Sequence, residues 1–136
     1  MLDLLLIFLY SICKIIIYKI FTYQKGVFMY FPTSATVIEF LILAIVDKDD
    51  SYGYAISQTI KQIANIKEST LYPILKKLEK AGYLTTYQQA YQGRKRKYYA
   101  ITAAGKEQLT FLKKEWQRYK EKVDEIIEGR LEDDKS

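Results

Sequence analysis

Histidine is absent from this 136-residue chain, and cysteine occurs once, as Cys13. A single cysteine excludes an internal disulfide and a cysteine-based metal site. Without histidine, most zinc and non-haem iron sites are also excluded, as is any histidine general base. The chain carries neither a nucleophile motif nor a glycine-rich phosphate loop ahead of a helix. No enzyme activity, metal or cofactor is therefore expected, and the cysteine usage fits the cytosol. Only two prolines are present, Pro32 and Pro73, so each carries local weight.

What the chain does have is a core's worth of apolar residues, 49%, and a net charge of +5. The length is that of one domain, by the usual span of roughly 100–200 residues. The distribution of charge says more than its sum. Residues 61–97 hold nine Lys/Arg against Glu68 and Glu79, whereas residues 121–136 hold seven acids against three bases. A cation-rich middle with an acidic end suits a domain that meets phosphate on one side. Scattered lysines more often mean only a solvated face, but four consecutive bases, Arg94, Lys95, Arg96 and Lys97, weigh against that.

Residues 67–97 organise the chain. Leu71, Ile74, Leu75 and Leu78 fall at i, i+3, i+4, i+7 and share one helical face. The opposite face carries Ser69, Tyr72, Pro73, Lys76, Lys77 and Lys80. Pro73 lacks an N–H and fits a helix near its first turn, which puts the start at residues 67–69. Gly82 follows as a left-handed cap. Residues 84–89 and 96–101 are rich in strand formers, with Ala90, Gln92 and Gly93 between them, so they predict a hairpin. A short helix with a basic outer face, followed by a hairpin with a basic tip, is the layout of a winged helix-turn-helix. In the major groove Ser69, Thr70, Tyr72, Lys76 and Lys77 are the reachable groups. Arg94, Lys95, Arg96 and Lys97 would neutralise phosphate from the wing tip, a sequence-blind and salt-sensitive contribution.

Before this unit, residues 33–46 read as a helix capped by Thr33 or Ser34 after Pro32. It is apolar on almost every side, so one face should meet its own domain and another a partner subunit. Residues 47–51 form a charged turn that caps a second helix over 52–63, with Ile56, Ile60 and Ile63 as its core stripe. Tyr52 and Tyr54 can touch phosphate, though half-buried packing is the stronger reading. Asn65 turns the chain, and Ile66 plugs the angle between the two helices. After the hairpin, Thr102 caps a last helix that runs from residue 103 to about 128, with Gly129 as its stop and an acidic tail at 132–136. Leu109, Leu112, Trp116, Tyr119, Val123 and Ile126 repeat at 3, 4, 3, 4, 3, a heptad seam. At 1.5 Å per residue this helix spans roughly 40 Å, more than a small domain needs for itself. It therefore predicts a homodimer whose two wings meet two half-sites of a palindrome; the bland alternative is packing on residues 33–46 of its own chain, and both can hold on different faces.

Several of these positions together resemble a known family. Tyr72, Pro73, Leu75, Leu78, Glu79, Gly82 and Leu84, then Gly93, Arg94, Arg96, Tyr98, Tyr99, Ile101, Thr102 and Gly105, are similar in order and spacing to the signature of the PadR transcriptional regulators. Tyr52, Gly53, Tyr54 and Ile56 match that family's second-helix opening, and the resemblance covers residues 33–131. It implies a mainly α fold with a small β-hairpin, a winged helix-turn-helix over residues 29–102, and a C-terminal dimerisation helix over 103–131. It implies a repressor released from double-stranded operator DNA by a small effector. In short-form members a tryptophan in the last helix lines a cavity between subunits that stacks flat aromatic compounds. Trp116 takes that place here, with Phe40, Phe111 and Tyr119 as possible walls; a filled dimer core is the equal alternative. The family often has proline where this chain has Lys95, which implies a looser, more basic wing.

Residues 1–28 stand apart. Residues 4–21 are nearly all Leu, Ile, Phe and Tyr, interrupted by Ser11, Cys13, Lys14 and Lys19. A transmembrane helix needs about 20 apolar residues, and Lys14 near the bilayer centre would cost about 2.5–3.5 kcal/mol. A signal peptide would need a basic start and small residues at the cleavage site, and Asp3 and Thr22-Tyr23-Gln24 supply neither. The preferred expectation is that this stretch is upstream leader DNA read through. Lys25-Gly26-Val27-Phe28-Met29 back-translates to a string containing AAAGGAG, a bacterial ribosome-binding site, just ahead of a start codon at Met29. An intact mass that includes residues 1–28 in the native host would overturn this. The alternative function it leaves open is a membrane-tethered adaptor or regulator with residues 4–21 as anchor and the basic domain at an anionic surface.

Overall fold

Ser34 begins the folded domain: its hydroxyl oxygen accepts a hydrogen bond from the Val37 N–H at 3.3 Å, so the chain enters a helix directly after Pro32-Thr33. The computed structural model describes residues 2–24 and 31–130, with only the backbone described for 2 and 18–24. The start at Met29 and the acidic tail at 132–136 lie outside the described residues. The elements run α1 (Leu2–Gln24), α2 (Ala35–Lys48), β1 (Ser51–Tyr52), α3 (Gly53–Ile60), α4 (Glu68–Lys80), β2 (Leu84–Tyr91), β3 (Arg94–Ile101) and α5 (Ala103–Ile127). The fold is mainly helical with a small antiparallel sheet, a winged helix-turn-helix with a long C-terminal helix.

One core joins α2, α3, α4, β2, β3 and α5. Ile38, Ile42, Leu43 and Val46 line the inner face of α2 and meet Ile56 and Ile60 of α3, Leu71, Leu75 and Leu78 of α4, Leu84 and Tyr99 of the sheet, and Leu109 of α5. Phe40, Leu41, Ala44 and Ile45 are only partly covered, so the second face of α2 stays half open within the protomer. Ile66 is buried at the corner between α3 and α4. Among the described residues no helix is long and apolar enough to cross a membrane.

Two boundaries differ from the sequence reading. First, Tyr52 is in a strand: Ser51 and Tyr52 pair with Tyr99 and Tyr98, giving a three-stranded sheet of order β1-β3-β2 where a hairpin alone was expected. Residues 47 and 48 complete α2, and α3 starts at Gly53 behind Tyr52, without a side-chain cap. Second, α3 ends at Ile60. The N–H groups of Gln62 and Ile63 reach back three residues, to Thr59 and Ile60, so the chain tightens into a turn where a helix to residue 63 was expected. Helix α4 starts at Glu68, within the expected 67–69, and carries Pro73 in its second turn. Having no N–H, Pro73 leaves the Ser69 carbonyl without its usual donor.

The end of α4 follows its sequence closely. The Gly82 N–H bonds to the Glu79 carbonyl and the Tyr83 N–H to the Leu78 carbonyl, each at 3.0 Å, with Gly82 at φ 79°. This double closure requires a left-handed residue at position 82. The hairpin turns on two residues, Gln92 (φ 48°) and Gly93 (φ 76°), both left-handed as a type I′ turn demands. Each strand therefore runs two residues further toward the tip than composition suggested, with Tyr91 opposite Arg94.

Thr102 starts α5, accepting from the Gly105 N–H at 3.0 Å and donating to the Gly82 carbonyl at 2.6 Å. One hydroxyl thus ties the end of α4 to the start of α5. Gly105 allows this approach, since a Cβ there would collide with the Tyr83 carbonyl. Over 25 residues α5 extends roughly 37 Å, so its far half runs past the core.

Candidate nucleic-acid interface

Helix α4 turns Leu71, Leu75 and Leu78 inward, and this leaves Ser69, Thr70, Tyr72, Lys76 and Lys77 exposed together on the outer side. Tyr72 is the best anchored of these. Its ring lies over Gly53, where an added Cβ would stand 2.9 Å from Tyr72 Cε1, so the reader helix and the start of α3 are in direct contact. Lys77 is already engaged, its ammonium donating to Glu39 Oε1 at 2.6 Å. Lys76 has no charged partner among the described residues.

The wing divides its bases. Along β3 alternate residues point to opposite faces. Lys95 and Lys97 share a face with buried Tyr99, toward α4. Arg94 and Arg96 share the other face with Tyr98. On that outer face Tyr98 stacks on Tyr87 (5.5 Å between centroids, 12°) and meets Tyr52 edge-on at 5.6 Å. The Arg96 guanidinium lies 4.4 Å from the Tyr52 centroid and 3.9 Å from that of Tyr91, so two rings hold it. The Tyr87 hydroxyl donates to Asp50 Oδ2 at 2.8 Å, which pushes the Tyr87 phenol above its ordinary pKa. Burial does the same to Tyr99. Arg94 and Lys95, next to the turn, have no charged or aromatic partner among the described residues.

Between α4 and the inner face of β3 lies a groove of about 470 Å³ lined by Tyr72, Lys76, Glu79, Lys80, Lys97 and Tyr99. Sequence reasoning nominated Tyr72, Lys76 and Lys97 from this set; it placed Lys80 on the polar face without nominating it and gave Glu79 no charge role. The tyrosine ladder around Arg96 was also missed. The period-two spacing of Tyr87, Gln89 and Tyr91, and of Arg94, Arg96 and Tyr98, was the signal that would have found it.

Residues of the long seam separate into two groups. Leu109 is 2% exposed and Leu112 packs against the core, so the first turns of the seam are used within the protomer, where a partner subunit was the leading expectation. Tyr119 and Ile126 are 63% and 64% exposed, with Val123 half-buried between them. Trp116 sits at the changeover, 6.3 Å from Phe40 and 5.9 Å from Tyr119 between ring centroids. Phe111 is exposed and joins none of these ring contacts.

Comparison with known proteins agrees with this geometry. Residues 42–111 match the model of the Transcriptional regulator PadR-like family. The crystal structure of smu.1704 from Streptococcus mutans UA159 is 67% identical, superposes with a TM-score of 0.76, and covers 78% of this chain and all of its own. Uncharacterized protein X of Lysinibacillus sphaericus is 42% identical over 97 residues, 68% of this chain and 89% of the relative. The negative transcriptional regulator PadR of Bacillus subtilis is 35% identical over 79 residues, which span 54% of this chain and 43% of that longer protein. Its crystal structure in complex with operator DNA superposes with a TM-score of 0.52 at 31% identity, covering 56% of this chain and 46% of that one. The chain belongs to the PadR-like family of transcriptional regulators, DNA-binding proteins of winged-helix fold.

Proposed function

We propose that this protein is a repressor that binds double-stranded operator DNA as a homodimer in the cytoplasm and leaves it when a flat aromatic compound binds. The observation that carries the DNA side is the groove between α4 and β3, where Lys76, Lys80 and Lys97 converge beside the exposed first turns of α4. Ser69, Thr70, Tyr72, Lys76 and Lys77 read base edges or grip the adjacent phosphates, and Arg94 and Lys95 grip flanking backbone. Lys97 faces the groove, while Arg96 braces the wing. The operator complex of the Bacillus subtilis relative supports this docking, and that protein's role as a negative regulator supports repression.

The far half of α5 supports the dimer. Tyr119, Ile126 and Ile127 are exposed on a helix that has left its own core, and a second α5 covers them most simply. Two-fold symmetry then sets two reading heads on a palindrome. Phe40, Trp116 and Tyr119 form the aromatic wall on which an effector stacks. Derepression needs an effector with different affinity for the two arrangements of the heads.

The test is fluorescence anisotropy of the full chain on the DNA just upstream of its own gene, at two salt concentrations, against an unrelated duplex. Strong preference for the upstream DNA is the expected result. No binding to either duplex would overturn the DNA reading. Trp116 is the only tryptophan, so quenching of its emission by flat aromatic dyes reports the effector site directly; unquenched emission would remove Trp116 from that role.

A further inference from the structure

We infer that Glu79 is a specificity-determining residue of this interface: it clasps the wing to the reader helix and withholds Lys97 from phosphate. The inference deepens the DNA reading above and rests on it. Glu79 lines the groove together with Lys76 and Lys80, and its two carboxylate oxygens serve two strands. Oε1 accepts from the Thr86 hydroxyl of β2 at 3.3 Å, and Oε2 faces the Lys97 ammonium of β3 at 3.5 Å. One side chain of α4 thereby joins both strands of the wing.

Stability does not account for this placement. The Glu79 side chain is 36% exposed, and a surface pair of that kind contributes little to folding. Its effect on binding is larger, because a carboxylate in a cationic groove opposes any phosphate that enters and occupies one of the cations that would receive it. Glu39 does the same for Lys77 on the far side of α4. A non-specific complex is held by phosphate contacts alone, so each withheld cation weakens it in full. An operator complex also has base contacts from α4, and those need α4 and the wing at a fixed spacing. The clasp therefore weakens unrelated DNA more than operator.

The test takes full-length wild type, Glu79→Gln and Glu79→Ala, each on an unrelated duplex and on a duplex that wild type enriches from a random pool. Glu79→Gln keeps an acceptor for Thr86 and loses the charge. Its log-affinity against log-salt line on the unrelated duplex should steepen by about 0.9, as one more phosphate is neutralised. Non-specific affinity should rise several-fold and the ratio of enriched to unrelated affinity should fall several-fold. Adding Lys97→Ala should restore the wild-type slope. Glu79→Ala, which also opens the clasp, should lower the ratio further. An unchanged slope and ratio in Glu79→Gln, or parallel weakening on both duplexes, would overturn the inference while leaving the DNA reading intact. Failure of wild type to bind or enrich any duplex would overturn both.

Discussion

The two faces of β3 carry the same kinds of residue and use them differently. Toward α4 lie Lys95, Lys97 and Tyr99; toward solvent lie Arg94, Arg96 and Tyr98. Tyr99 is 4% exposed and closes the core, while Tyr98 is a rung in a ladder with Tyr52 and Tyr87. Lys97 faces the groove beside α4, while Arg96 is held between two rings. Of four consecutive bases, two lie on each face, and the neighbours Arg96 and Lys97 thus have separate duties. The difference teaches that a basic run on a strand is not one site, because each step along the chain changes face.

The largest effect that sharpens this contrast is on stability. Tyr99→Ala removes a buried ring from the common core and should cost about 3 kcal/mol, whereas half-buried Tyr98→Ala should cost less, about 1–2 kcal/mol, from its ring contacts with Tyr52 and Tyr87. Urea denaturation of both variants measures the gap. Equal losses would break the distinction between inner and outer face.

Next in size is the division among the bases. Arg94→Ala with Lys95→Ala should flatten the salt dependence of DNA affinity by roughly two units, since both cations are free to meet phosphate. Arg96→Ala should leave that slope near wild type and weaken binding through a loosened wing. Anisotropy titrations across a salt series separate the two. A flattened slope for Arg96→Ala would return it to the phosphate-contacting set.

Gly93→Ala probes the turn that sets the register of both faces. A left-handed φ of 76° costs a residue with a Cβ about 1–2 kcal/mol. Thermal unfolding should show that loss with the folded far-UV spectrum retained. No loss would mean the turn relaxes without strain.

Local chemistry made much of this legible beforehand. The stripe Leu71, Ile74, Leu75, Leu78 and the stop at Gly82 depend on residues within one or two turns of each other, so periodicity alone located α4. Thr102 as a cap and Gly93 as a turn residue are local in the same sense. Strand β1 was not legible, because two residues have no period and its pairing partners, Tyr98 and Tyr99, lie 46 and 48 positions away. The pair Lys77–Glu39 spans 38 positions and has no sequence signature at all. The heptad seam was read correctly as apolar but not in its use. Leucine at positions 109 and 112 looks the same whether it faces its own core or a partner's, and only the path of α5 past α2 separates them from Tyr119 and Ile126. In the site, the cations were visible as composition, while the carboxylates that restrain them were not.

The smallest effect concerns the hydroxyl of Tyr87. Tyr87→Phe keeps the ring stacked on Tyr98 and removes only the hydrogen bond to Asp50. Near neutral pH the loss in stability should fall within the scatter of the measurement. At high pH the variant should separate from wild type. The hydrogen bond to Asp50, with its negative charge, holds the Tyr87 phenol above its ordinary value. A group whose folded pKa is raised adds stability that is complete below its unfolded pKa, ~10 for tyrosine, and is lost as pH climbs through the raised folded value. Wild type should therefore lose stability as pH rises above ~10 through both Tyr87 and buried Tyr99, and Tyr87→Phe should lose less over the same range. Denaturation midpoints across that range measure the difference. Identical alkaline slopes would mean that the Asp50 contact does not persist in solution, and the outer face of the wing would then be held by its rings and Arg96 alone.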